Sequence, residues 1–365
     1  FRETVRKLSP STVVFSDVGP DIRWAGNEKG IAGTTNWNTL NIEGFTPGLG
    51  APSTDTLNAG NKYGTHWIPA ECDVSIRPGW FYHAEEDSKV KSPEDLFQLY
   101  LKSVGRGATL LLNVPPDRRG KFHEHDSAAL VGFRKLRQQS FKINLMQNAN
   151  TYYLHSGILK KAPALSDGKT ATTVTMQTTE IPSTGAELKE NKKINCVVLR
   201  EDLRNGQQCA TFKLLLFDKK DKLIKEIKGT TIGRKRILTF PAVNISTIEL
   251  TILEQKGATK IAEIEAYYIN DHNIESYRDF CTCINDKSFK YSLDIAFNPK
   301  YQYLKMSWNK ILKMLEGDNE ELNEVIKKTS FEASISSEIN KGFNPNHFNK
   351  AGYDLFLYLI GILQS

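Results

Sequence analysis

The sequence is poor in cysteine and has no long apolar run. Five cysteines, Cys72, Cys196, Cys209, Cys281 and Cys283, stand among 365 residues. An odd number cannot pair fully, and none of the spacings is that of a zinc site. Cys281-x-Cys283 is too close for an ordinary ligand pair and has no partner cluster. Cys196 and Cys209 read as two core thiols, with a cross-hairpin pair as the alternative. No apolar stretch reaches the length that spans a bilayer, so no membrane span is expected. No signal peptide opens the chain. Its first residue is Phe1 rather than methionine, and we expect the chain to begin inside a longer gene product. Metal, nucleotide and flavin motifs are also missing. Gly26-x-x-x-Gly30 lacks the Lys-Ser/Thr ending of a phosphate loop, so no cofactor is expected.

Charge of one sign is not concentrated either. Lys and Arg number 48 against 42 Asp and Glu, a formal balance of +6. Much of the lysine lies between Lys189 and Lys260 and alternates with apolar residues, which is the pattern of a solvated strand face. No aromatic-basic motif accompanies it, so nucleic acid is not an expected partner. Hydrophobic residues make up 39% and charged residues 25%, ordinary globular usage that permits a core. The length allows roughly two or three domains.

The most informative stretch runs from Asp17 to Trp37, DVGPDIRWAGNEKGIAGTTNW. Thr12-Val13-Val14-Phe15 before it reads as a short buried strand. Gly19-Pro20 breaks the chain into a loop that carries Asp21, Arg23, Glu28, Trp24 and Trp37. Carboxylates, an arginine and indoles at the C-terminal end of a strand are the layout of a sugar-processing site on a barrel. A second such stretch spans residues 66–83, with a strand expected over 66–76. It holds Glu71 and Asp73, which share a strand face if extended, and then Arg77 and Trp80.

Four blocks in this order, GPDIRWAGNEKG, TTNW, PAECDVSIRPGWFYH and LLLNVPPDRRG (Leu110 to Gly120), resemble the 1,3/1,4-specific branch of the α-L-fucosidases, glycoside hydrolase family 29. The resemblance covers residues 1–143. It implies a retaining exo-fucosidase that releases fucose from 1,3- or 1,4-branched glycans, outside the cytoplasm, in a periplasm or beyond the cell. A retaining glycosidase needs a nucleophilic carboxylate and a general acid/base about 5–5.5 Å apart. The acid must be protonated at working pH, through an apolar site or a nearby negative charge. Glu28, in Gly26-Asn27-Glu28, matches the family's acid/base position. The family's nucleophile is an aspartate in a Trp-Phe-Asp-Gly sequence on an earlier strand, and that sequence is missing here. On the family pattern the nucleophile sits upstream of Phe1, and this chain alone is expected to be inactive.

For the substrate-binding residues the sequence leaves alternatives. Asp21 and Arg23 either bond hydroxyls of the leaving-group sugar or hold the loop through an ion pair. Trp24 belongs to the same loop. Glu71 or Asp73 either lines the site or forms a fold-holding pair with Arg77 or Arg23. Trp80 either stacks on the apolar face of a deoxyhexose or packs its own loop. Asp117-Arg118-Arg119-Gly120 reads as a structural ion-pair turn.

The remaining elements complete the expected architecture. Residues 1–11 read as a helix end stopped at Ser9-Pro10. Ser92-Pro93-Glu94-Asp95 opens a helix that runs to about Lys102. Residues 38–62 read as a long excursion, 108–114 as a buried strand and 124–139 as a helix. This is the rhythm of the back of an α/β barrel. Alternating segments at 194–199, 209–218, 223–228, 236–240, 247–253 and 261–269, within 144–270, predict an antiparallel β-sandwich. Its last strand, IAEIEAYY (Ile261 to Tyr268), resembles that of galactose-binding-like jelly rolls. The class is therefore α/β, the C-terminal part of a (β/α)8-like barrel (1–143) followed by a β-sandwich (144–270). Residues 271–365 read as a mixed, mostly helical tail. Around His347 it resembles the end of SGNH ester hydrolases, but no serine block accompanies it and Asn344 stands where an aspartate would.

Overall fold

The computed structural model describes residues 1–147, 149–177 and 182–269. The readings of Cys281, Cys283, His347 and the tail lie outside the described residues. Contacts divide the chain into two compact units. One holds Phe1–Ser75, Gln98–Asn113 and Gln139–Ile269. The other includes Ile76–Phe97 and Val114–Gln138.

The chain starts with helix α1 (Arg2–Leu8), which ends at Ser9 as the Ser-Pro pair predicts. Strands β1 (Phe15–Ser16) and β2 (Ile22–Trp24) follow. Then come β3 (Thr39–Leu40), α2 (Thr54–Ala59), β4 (His66–Trp67) and β5 (Ala70–Ser75). A 3-10 helix at Ala84–Lys89 leads to α3 (Pro93–Lys102), β6 (Thr109–Asn113) and α4 (Glu124–Ser140). Strands β1-β2-β5-β6 form a parallel sheet in sequence order.

Three expectations change. The run Thr12–Phe15 is not a buried strand: only Phe15–Ser16 pairs, and Val13 and Phe15 are exposed. The reason is position, since β1 is an edge of the sheet and covers its neighbour on one side only. The other edge, β6, is likewise open, with Leu111 exposed. The single strand expected over 66–76 is two. Pro69 has no N–H to give a ladder, so β4 pairs antiparallel with β3 while β5 enters the parallel sheet. The Gly- and Pro-rich excursion also holds α2, whose N-cap Ser53 side chain accepts from the Thr56 N–H.

After α4 the fold is antiparallel. Strands β7 (Asn150–His155), β8 (Ile158–Lys161), β9 (Val174–Thr175) and β10 (Ser183–Glu201) are followed by β11 (Cys209–Phe217), β12 (Leu223–Thr230), β13 (Arg236–Gln255) and β14 (Lys260–Tyr267). All eight are linked in one hydrogen-bonded network, ordered β12-β11-β13-β10-β14-β9, with β7 and β8 joined through β10. The segments 236–240 and 247–253, expected as separate strands, are one continuous strand with register breaks against β10. Period-two alternation sends Phe212, Leu214 and Leu216 of β11 into the core, where they meet Val197, Leu199, Ile248, Leu250 and Ile264. Cys196 and Cys209 are buried free thiols on strands that are not neighbours, as the core-thiol reading expected. No described helix is long and apolar enough to cross a membrane.

Candidate active site

The site is built on strand alternation. Trp24 is registered with Glu71, and Asp73 with Leu111, so Trp24, Glu71 and Asp73 project from one face of the parallel sheet. The opposite face carries Arg23, Ala70, Cys72 and Val74, all buried. On the open face the Trp24 indole N–H donates to Asp73 Oδ1 at 2.8 Å. Burial pushes the Asp73 carboxyl above its usual range, the Trp24 bond opposes this, and the Glu28 charge adds to the rise. That last influence puts Glu28 within electrostatic reach of Asp73. Glu71 is pushed up too, by burial first and then by Asp73. Three carboxylates thus gather at the end of β2 and along β5.

Glu28 is exposed, at the tip of the loop that leaves β2. Two side-chain amides close the neck of that loop. Asn27 Nδ2 donates to Ala25 O and Ile31 O at 3.1 and 3.0 Å. Asn58 Nδ2, from α2, donates to the same two carbonyls at 2.8 and 3.1 Å. The Gly30 N–H then bonds Asp73 O at 3.0 Å, fixing the loop to β5. Gly30 has φ +70, and a Cβ there would meet Val74 at 2.7 Å, so the close approach needs glycine.

The other predicted residues fall in different places. Arg23 is 0% exposed and belongs to the fold rather than to an open site. Its guanidinium donates to the carbonyls of Leu57 (2.7 Å), Trp37 (2.9 Å) and Ile68, and to Asn36 Oδ1 at 3.3 Å. Of the two roles the sequence left open for Arg23, the structure gives the loop-holding one, although through carbonyls instead of an ion pair. Burial lowers its pKa to about 10. Asp21 binds the Arg6 guanidinium and accepts from the Val14 N–H at 2.7 Å, which holds its carboxyl below the usual range. It therefore ties α1 to the β1–β2 connection. Trp37 is buried.

Trp80 lies in the other unit, partly exposed, beside Phe81, which is 77% exposed. Their loop is anchored by Arg77, whose fully buried side chain bonds Asp126 through Nε and Nη2 and reaches Asp87 at 3.0 Å. Arg77 also lies over the Tyr82 ring, 4.7 Å from its centroid. Asp117 and Arg119 pair at 2.6 Å, as expected of an ion-pair turn.

Sequence reasoning missed Asn58 and Gln207. Gln207 accepts the Asn38 N–H at 3.0 Å and donates to Asn36 O at 3.0 Å, gripping the TTNW segment from the antiparallel sheet. Neither residue stands in a motif, and only tertiary contact reveals them. Among the described residues no group of three or more His, Cys, Asp or Glu is arranged to hold a metal ion.

The chain is similar to known proteins. Residues 50–135 match the Alpha-L-fucosidase family model. A rice protein (Oryza sativa subsp. japonica) named after alpha-L-fucosidase 1 is 36% identical over 265 residues, covering 68% of this chain and 48% of its own. Alpha-L-fucosidase 1 of Arabidopsis thaliana is 34% identical over 264 residues, covering 70% and 51%. The crystal structure of SpGH29 superposes with a TM-score of 0.67 at 32% identity, covering 73% of this chain and 58% of that one.

The chain belongs to the alpha-L-fucosidase family.

It spans about half the length of the curated alpha-L-fucosidases it matches. Their names identify glycoside hydrolases, and the mixed α/β fold is shared with the solved family structure.

Proposed function

We propose that this chain is the C-terminal part of a retaining exo-alpha-L-fucosidase that releases fucose from 1,3- or 1,4-linked glycans, with Glu28 as general acid/base. The observation that carries the reading is the grouping of Glu28 with Asp73 and Glu71 at the C-terminal end of a parallel sheet, on a loop braced by Asn27 and Asn58. Ligands of such sheets meet them at that end. Glu28 hands its proton to the departing glycosidic oxygen and later removes one from the incoming water. The Trp24 indole keeps the neighbouring Asp73 carboxylate in place.

The nucleophile is assigned to the part of the fold that the longer relatives have in addition. In the same reading the parallel sheet is the back of a (β/α)8-like barrel, residues 144–270 form a galactose-binding-like sandwich, and the enzyme works in a periplasm or outside the cell. Assayed with an aryl α-L-fucoside, the chain alone turns over negligibly, and joining it to a nucleophile-bearing half gives activity. In the joined enzyme Glu28→Gln slows poor leaving groups far more than good ones. Failure of azide to rescue Glu28→Ala counts against the role. The second reading, a non-catalytic carbohydrate-binding fragment, is favoured by the missing Trp-Phe-Asp-Gly sequence. It predicts fucose binding by the chain with no gain of turnover on joining.

A further inference from the structure

Two arginines stand side by side where the turn after α3 meets the start of β13. Arg106 and Arg236 are partners in an isolated antiparallel bridge. The Ile237 N–H donates to Gly105 O at 2.8 Å beside them. This makes 106/236 a non-hydrogen-bonded pair, the type whose Cα atoms lie about 4.5 Å apart with side chains close together. Like charges facing each other in such a pair repel. Arg236 is only 7% exposed, and Arg106 is half-buried.

Nothing in the described residues neutralises them. Arg236 Nη1 donates to Thr34 O at 2.8 Å, and Arg106 Nη1 donates to Ala32 O at 2.7 Å. Both acceptors are neutral carbonyls, and each occupies one of the five N–H groups of its guanidinium. Burial, then the Arg106 charge, lowers the Arg236 pKa to about 10, and no carboxylate offsets either effect. Burial lowers Arg106 as well. The carboxylate of Glu201, which accepts the Gly233 N–H nearby in sequence, is occupied by the N–H groups of Gln208, Cys209 and Gly233. Neither arginine contributes a donor that is both sealed from solvent and unpartnered among the described residues. The Nε and Nη2 atoms of both therefore keep some access to solvent.

We propose that Arg106 and Arg236 form a binding site for an oxyanion, a phosphate or sulfate group. A buried charge without a counter-charge is costly. An anion between two guanidiniums replaces their repulsion with two attractions, and each planar fork matches two oxygens. The group comes either from a free inorganic ion or from a sulfate ester on a glycan.

The test is thermal unfolding of the full chain titrated with sodium sulfate, sodium phosphate and galactose 6-sulfate. Ionic strength is matched with sodium chloride, and galactose serves as a blank. Concentrations stay in the low millimolar range, below those at which excluded salts stabilise any protein. A saturable rise in Tm with sulfate and phosphate, absent with chloride, is expected. Arg106→Gln and Arg236→Gln weaken the ion about tenfold or more, the loss of a charge-assisted bond. Arg106→Lys keeps part of the effect because charge remains but the fork is gone. Tighter binding of galactose 6-sulfate than of inorganic sulfate identifies the glycan source, and the reverse identifies the free ion. Equal response to chloride, or unchanged sulfate binding in Arg106→Gln, overturns the site. If Arg236→Gln fails to fold, calorimetric titration of the native chain and of Arg106→Gln with phosphate decides. No turnover is read, so the outcome is independent of the fucosidase reading.

Discussion

Asn27 and Asn58 hold the same two carbonyls, and this redundancy makes a quantitative prediction. In Asn58→Leu the Ala25 and Ile31 carbonyls still accept from Asn27 Nδ2, at 3.1 and 3.0 Å. In Asn27→Ala they still accept from Asn58 Nδ2, at 2.8 and 3.1 Å. Each single change therefore removes bonds without orphaning an acceptor and costs about 1 kcal/mol in the stability of the loop. The double change leaves both carbonyls without these donors, and Ala25 is fully buried. Its cost is about 3–4 kcal/mol, so the coupling is about 1–2 kcal/mol beyond additivity. The readout is hydrogen exchange at the Gly30 amide, whose bond to Asp73 O reports loop opening directly. Protection falls about fivefold in each single variant and several hundredfold in the double. Additive losses, within about 0.3 kcal/mol, refute the shared-clamp argument.

Three other changes test the chemistry around the site and the fold. Trp24→Phe deletes the donor to Asp73 Oδ1, so the Asp73 carboxyl titrates higher still, as followed by carboxyl carbon NMR; an unchanged or lower titration contradicts the assignment. Arg77→Met leaves the fully buried Asp126 without its counter-charge and destabilises by about 3–5 kcal/mol in urea unfolding, while adding Asp126→Leu recovers much of the loss. Burial holds Glu201 at about 7, against 4.5 for the ordinary group, despite three N–H donors. Protonation is thus favoured in the folded state. Its stabilising contribution is complete below about pH 4.5 and lost as pH rises through about 7, a change of about 3 kcal/mol. The difference in stability between native protein and Glu201→Gln should track that window. A flat difference means that the three N–H groups keep the carboxylate ionised throughout.

The elements that local chemistry dictates were legible in the chain. The acidic N-terminal turn of α3 and the alternation of β11 and β14 depend on neighbours in sequence, and both were read close to their observed limits, whereas β10 begins at Ser183, well before the expected segment 194–199. The short strands were less clear. Thr12–Phe15 has the composition of a buried strand, but sheet order leaves it at an edge. At the site, Trp24, Glu71 and Asp73 share a face because alternation places them there. Arg23 looked like a ligand-binding residue because its neighbours in sequence do. Its carbonyl partners come from residues 37, 57 and 68, and no local pattern announces them. Asn58 and Gln207 were invisible for the same reason: an amide that bonds main-chain atoms far along the chain has no sequence signature.

β2 places two adjacent residues in opposite environments: the Trp24 indole reaches the acids, and the Arg23 guanidinium enters the packed side. A slip of one position in this strand would exchange them. Arg23 therefore acts as an index pin: its bonds to three distant carbonyls are satisfied in one alignment only. A single inserted or deleted residue between Pro20 and Ala25 should thus be far more damaging than any substitution on the exposed side of the strand.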